Sequence, residues 1–388
     1  MLPSNNAPFL VGLKRCFTRV ELAPDAGLIA RRGVVPDDRL ASIRRVYFWE
    51  AIGVFLLMMA VVWCEYWLDK SGTRTFRIVL GVPTALWMFV LSPIAHCRLD
   101  GPVFLQPHQQ WNAMGWYFWE FRGLGNPLRY YVGRDGEPPL IIKHWRAVAA
   151  VMAAMTLLYV SAAFNFSKEI DERYAQHYAS FGGKIGFILF LLCIIDLCWL
   201  LLAMPFMVRL DNLAQSVRFI VAFMLGVLVF VLLFNLFFQF ALEPFRESLK
   251  DWHYIRLSGE PSGERLHALL RPLAIGGQWS GYVTWGWFQQ LIFASYFGVL
   301  FGRAFPVDRS RVDLLKAVLC TSTCFSLVHL PNVWLMVFTF VGGIFGTVLF
   351  YQMFNLFALG FSHGFGGSLL NQLTPINFSV GASQMRGR

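Results

Sequence analysis

The chain has 388 residues, of which 56% are hydrophobic and only 14% charged, with a formal net charge of +10. That balance lies far from soluble globular composition. Apolar runs near the ~20 residues that cross a hydrocarbon core recur along nearly the whole sequence and exclude a soluble helical protein. The excess Lys and Arg reads as topology and lipid-headgroup contact, with no nucleic-acid surface expected.

Residues 1–45 form a polar, basic tail carrying Lys14, Arg15, Arg19, Arg31, Arg32, Arg39, Arg44 and Arg45 with few acids. Positive-inside reasoning places it in the cytoplasm. No cleavable signal peptide is apparent, and the first apolar run is long enough to span, so insertion through the first helix is expected. The spans read in chain order are 46–67, 76–97, 145–166, 183–208 and 217–242, then 275–301, 314–330, 331–352 and 356–372. The expected fold is an all-α polytopic transmembrane bundle of about eight or nine spans.

Between the second and third spans, 98–144 is polar but rich in aromatics (Trp111, Trp116, Tyr117, Trp119, Tyr130, Tyr131), which favours the cytoplasmic headgroup zone. Lys168, Glu169, Asp171, Glu172 and Arg173 fit an outer loop, whereas Arg303, Arg309, Arg311 and Lys316 fit an inner one. Residues 243–274 hold a charge-mixed amphipathic stretch, Phe245 to Trp252, and 373–388 form a polar tail. Cys16, Cys64, Cys97, Cys193, Cys198, Cys320 and Cys324 lack Cys-x-x-Cys spacing and read as small buried hydrophobes.

The five-span region 46–242 and the region 275–372 differ in character. The second carries more intramembrane polar groups and the pairs Gly277/Gly281, Gly298/Gly302, Gly342/Gly346 and Gly360/Gly364. Small-x-x-x-small spacing lets helix backbones approach closely, so a tight bundle is expected there. In the first region Asp196 sits near the middle of a span, where a carboxylate is costly and is a functional candidate by default. Glu50 and Glu65, near the ends of the first span, are expected at the interface.

Gln289, Gln290, His329 and His363 lie within or at the edge of apolar segments, where polar side chains usually mark a site. Their order resembles the three motifs of the CPBP family, the CAAX-type and bacteriocin-processing (Abi-type) intramembrane proteases. The family's Glu-Glu-x-x-x-Arg corresponds to Gln289, Gln290 and Ala294. Its Phe-x-x-x-His corresponds to Phe325 and His329, and its His-x-x-x-Asn/Asp to His363 and Gly367. The resemblance covers roughly 275–372. It implies an integral membrane peptidase of a bacterial inner membrane, acting on a membrane-anchored or transmembrane peptide, with His329, His363, Gln289 and Gln290 in the catalytic positions. Phe325, Asn332 and Asp196 stand as candidate substrate-binding or supporting residues.

The replaced glutamates change the chemistry. A carboxylate accepts a proton, whereas a carboxamide only donates and accepts hydrogen bonds, and losing a general base costs ~100- to 10,000-fold in rate. A neutral histidine is the natural substitute base. Three readings therefore stay open: a diverged peptidase, a non-hydrolytic relative that binds or chaperones a membrane peptide, and a purely structural polar knot between helices. No cofactor is expected. Zinc would suit two histidines only with a third ligand, and neither His-Glu-x-x-His nor an adjacent acid is present.

Overall fold

The computed structural model describes residues 21–22, 28–30, 33, 35–64, 68–92, 95–96, 136–174, 181–198, 200, 208, 210, 212–237, 241, 256–257, 282–330, 332–374 and 376–377, with side chains left out at 70, 161–174, 181–184, 256–257, 334, 371–372 and 376–377. The basic residues of the tail before Gly33, most of the 98–144 and 243–274 loops, Glu65, Cys16, Cys97 and Gly277/Gly281 lie outside these residues.

Helix α1 (Asp37–Trp63) starts after Pro36, with Asp37 and Asp38 in its first turn beside the positive end of the helix dipole. The expected tail thus becomes helical well before residue 46, and Leu28 ahead of it is fully buried. Helix α2 (Ser71–Leu91) is opened by Asp69, whose carboxylate accepts from the Gly72 amide at 2.7 Å. It carries π-helical turns at Arg77–Gly81 and Trp87–Leu91 on either side of Pro83, which has no N–H to give the preceding turn. Helix α3 (Trp145–Tyr174) runs through 168–173, expected as a loop, because charged residues with good helix propensity do not end a helix. It packs on α4 (Phe181–Cys198). Helix α5 (Leu213–Phe237) follows.

The remaining helices build the site. Helix α6 covers 282–304, with a π-helical segment at Leu291–Phe297. Helix α7 (Arg311–Leu327) is capped by Ser310, and α8 (Val333–Met353) by Asn332 just after Pro331. Helix α9 (Leu356–Leu373) is capped by Asn355. Between α8 and α9 the chain reverses through Phe354, whose φ of 51° is left-handed and uncommon for a bulky residue. Burial of its ring (1% exposed) holds it there. Asn355 Nδ2 donates to Asn212 Oδ1 at 2.9 Å and to Ser216 Oγ at 2.8 Å. Asn212 in turn donates to Met353 O, and Asn235 donates to Leu373 O, so α5 runs parallel to α9 along its whole length. At the opposite side of α6, Arg44 Nη1 donates to Arg303 O at 2.7 Å, bringing the start of α1 to the end of α6.

The described residues are mainly helical and include a two-residue antiparallel pairing, Arg256 with Asn377 and Leu257 with Ile376. Among the described residues four helices are long and apolar enough to cross a membrane: Asp37–Trp63, Ser71–Leu91, Leu213–Phe237 and Leu335–Met353. Shorter apolar helices are Trp145–Val160, Ile185–Cys198 and Leu356–Leu370. On α5 an exposed row of Val221, Leu225, Leu228, Leu232 and Leu236 has no protein cover among the described residues. An apolar face of that extent belongs against lipid, and the chain reads as a helical integral membrane protein. Cys193 and Cys198 are exposed on α4 rather than buried, since that helix is apolar all round and needs no inward face for a thiol.

Candidate functional site

The first turns of α6 cross α9 glycine to glycine. A Cβ on Gly286 would lie 2.7 Å from Gly360 O and 2.8 Å from Gly364 N, while one on Gly360 would collide with Trp287 and one on Gly364 with Val283. Only bare backbone on both sides allows this approach. Trp287 then lies along α9, stacked on Phe357 with ring centroids 5.6 Å apart, and its indole N–H donates to Phe357 O at 3.1 Å. A second close approach seats α8 on α7, where a Cβ on Gly343 would lie 3.1 Å from Ser322 Cα. Of the paired glycines expected to pack helices, Gly360/Gly364 do so. Gly342 does not, a Cβ there meeting nothing within 4 Å among the described residues.

The crossing sets Gln289 beside His363, with Nε2 of the ring 2.6 Å from Gln289 Oε1. An interhelical bond of this kind contributes on the order of 0.6 kcal/mol. It therefore reports the backbone approach rather than causing it. Both residues, with Gln290, His329 and Phe325, line one cavity of about 180 Å³ to which α5, α6, α7, α8 and α9 all contribute. Phe325 sits between the imidazoles, its ring centroid 5.2 Å from that of His329 and 5.4 Å from that of His363. Phe293 from the π segment backs it at 4.9 Å.

The hydrogen bonds fix what each ring offers. His329 Nδ1 is 2.7 Å from Phe325 O, an oxygen that can only accept. Nδ1 therefore carries the proton, and in the neutral ring Nε2 holds the lone pair. Against Gln289 Oε1, also an acceptor, His363 Nε2 donates and its Nδ1 carries the lone pair. Gln289 then keeps two N–H donors for the cavity. No Asp, Glu, Lys or Arg among the described residues lines the space. Nor do any three His, Cys, Asp or Glu side chains among the described residues gather where a metal would need them.

Two of the expected supporting residues lie elsewhere. Asn332 accepts from the Leu335 amide at 3.0 Å as the cap of α8 and is not part of the cavity wall. Asp196 lies on α4 against α3, where Oδ2 accepts from Thr156 Oγ1 at 2.9 Å and Oδ1 is buried without a partner among the described residues. It shares no cavity with the histidines among the described residues. Ser362 was passed over in the sequence although it adjoins His363. The α9 positions 359, 362, 363, 366, 367 and 370 that line the cavity follow helical spacing, so one turn of periodicity around His363 marks it. Glu50, expected near the interface, is engaged by neighbouring helices. Its side chain is 9% exposed, paired with His96 Nε2 at 2.7 Å, and it accepts from Trp87 Nε1 at 3.1 Å and Tyr296 O–H at 3.0 Å. The partners come from α2, the residues following it and the π segment of α6, all distant in sequence.

The chain matches no protein-family model, no curated protein and no solved structure.

Proposed function

We propose that the cavity is the active site of an intramembrane peptidase of the CPBP kind, diverged by the replacement of its glutamate pair. The observation that carries the reading is the pairing of His363 with Gln289 in a cavity that His329 and Gln290 share. Peptide hydrolysis needs a base for water, donors for the oxyanion and a proton for the leaving amine. His329 Nε2 takes a proton from water as the oxygen attacks the carbonyl carbon. The carboxamide N–H groups of Gln289 and Gln290 receive the developing oxyanion. The imidazolium so formed returns its proton to the departing nitrogen, and His363 orients Gln289. The proposed setting is a bundle of eight or nine spans in a bacterial inner membrane, with the N-terminus cytoplasmic and a membrane-anchored or transmembrane peptide as substrate.

A second reading, a non-hydrolytic binder of such peptides, is favoured by the absence of any carboxylate among the described cavity residues. Reconstituted protein incubated with membrane-tethered peptides separates the two. The peptidase reading expects cleavage by the wild type, reduced at least ~100-fold in His329→Ala, with His363→Ala also impaired. Cleavage that appears only in Gln289→Glu or Gln290→Glu refutes it in favour of binding.

A further inference from the structure

At Gly342 and Gly346 on α8 and Gly366 and Gly367 on α9 the wall of the cavity is bare backbone. Gly342 and Gly367 differ from the glycines that seat α9 on α6, because a Cβ on either meets nothing within 4 Å among the described residues. Here a missing side chain makes room rather than contact. One turn before Gly366 on α9, Ser362 is 3% exposed, and its hydroxyl has no hydrogen-bond partner among the described residues. Two buried hydroxyls on the neighbouring helices α7 and α8 bond back to their own backbone. Ser322 donates to Val318 O at 2.7 Å and Thr339 to Leu335 O at 2.7 Å. Ser362, on the cavity wall, does not.

We infer that the cavity takes an unwound peptide segment with small side chains, and that Ser362 hydrogen-bonds its main chain. The inference rests on the reading that the site receives a membrane peptide, and it names which peptide. A lipid chain needs no polar partner, and a continuous helix satisfies its own backbone. An unwound main chain in hydrocarbon needs donors and acceptors from the protein that surrounds it. The carboxamides of Gln289 and Gln290, the lone pair of His329 Nε2 and the hydroxyl of Ser362 supply both kinds. Around them Phe325, Phe338 and Phe345 narrow the space, so the open lanes run along the glycines. Segments of Gly, Ala and Ser fit those lanes, and large side chains meet the rings.

The test uses the full chain in lipid vesicles and two dye-labelled transmembrane peptides with identical flanks, one with a Gly-Ala-Ser-rich centre and one with a Leu-Phe-rich centre. Binding is read by energy transfer. The wild type is expected to hold the small-residue peptide at least ~10-fold more tightly, and Ser362→Val to weaken it ~5-fold, the loss of about one hydrogen bond. Gly342→Leu and Gly367→Leu should weaken it more than ~10-fold by filling the lanes, while Gly342→Ala and Gly367→Ala unfold at the wild-type temperature and show a smaller loss. Equal binding of the two peptides, no binding of either, or leucine variants that bind like the wild type overturns the inference. Selective binding without cleavage removes the hydrolytic reading and leaves this one standing. Cleavage indifferent to the central residues does the reverse.

Discussion

Replacing Gly364 by alanine should separate α6 from α9 and dismantle the site without touching a polar residue. The added Cβ would lie 2.7 Å from Tyr282 O and 2.8 Å from Val283 N, closer still to Val283 Cα, and all three atoms are backbone that cannot rotate away. Ordinary contact is about 3.5 Å, so relieving the tightest of the three requires the helices to part by roughly 1 Å. The His363–Gln289 contact, 2.6 Å in the native packing, would then stretch to the weak edge of hydrogen-bonding range. Overpacking of this sort costs about 1–3 kcal/mol. Gly367→Ala on the same helix, where the new methyl meets nothing within 4 Å, is the matched control. Thermal unfolding of the two variants in the same lipid, with peptide binding measured alongside, gives the comparison. Gly364→Ala should be destabilised and bind poorly, and Gly367→Ala should unfold like the wild type. Equal stability of the two, in either direction, would mean that α6 does not cross α9 at this point.

Asn355→Ala removes the cap of α9 and both bonds to α5, so a loss of about 2 kcal/mol is expected in equilibrium unfolding. Glu50→Ala strips the shared acceptor from His96, Trp87 and Tyr296. Breaking such a buried pair costs on the order of 3 kcal/mol, whereas Glu50→Gln should retain part of the stability, measured the same way. Asn332→Ala should lose about 1 kcal/mol through its cap and leave peptide affinity unchanged, which a titration of the reconstituted protein reads directly. Asp196→Asn should likewise leave peptide cleavage and binding at wild-type levels, since its recorded partner is Thr156 on α3.

The helical character and the apolar spans are legible because hydrocarbon imposes them on composition: a run such as 217–242 has no alternative use. The convergence of Gln289, Gln290, His329 and His363 is legible for a related reason, since each is expensive where it stands unless it meets another polar group. Boundaries are harder. Helix α1 begins at Asp37 and α3 continues to Tyr174 because helices extend into water on charged residues as readily as they cross lipid. Asn332 reads as a site residue beside His329, yet an Asn after Pro331 and before an apolar run is equally an N-cap signal. Gly342 and Gly367 show why spacing alone misassigns glycines: the same residue type seats one helix on another at Gly364 and opens a cavity three residues later. Glu50 could not be placed from its own neighbourhood, because its partners Trp87, His96 and Tyr296 are brought to it by helix packing alone.

The π segment at Leu291–Phe297 joins these observations. In an unbroken α-helix residues seven apart share a face, so Gln289 and Tyr296 would meet the same neighbour. Instead Gln289 meets His363 on α9 and Tyr296 meets Glu50 on α1. The widened turn begins at the residue after Gln290 and closes where Tyr351 on α8 donates its hydroxyl to Gly298 O at 2.5 Å. Within it Phe293 reaches Phe325 of α7 and Phe297 reaches Phe55 of α1. One helix thereby presents carboxamides to the cavity and a phenol to a buried carboxylate. Both turn on the same irregularity, which is the kind that gathers at functional sites. A change that restored regular α-helical geometry at 291–297 would have to surrender one of the two contacts, so the position of the carboxamides and the pairing of Glu50 are coupled through the backbone of α6.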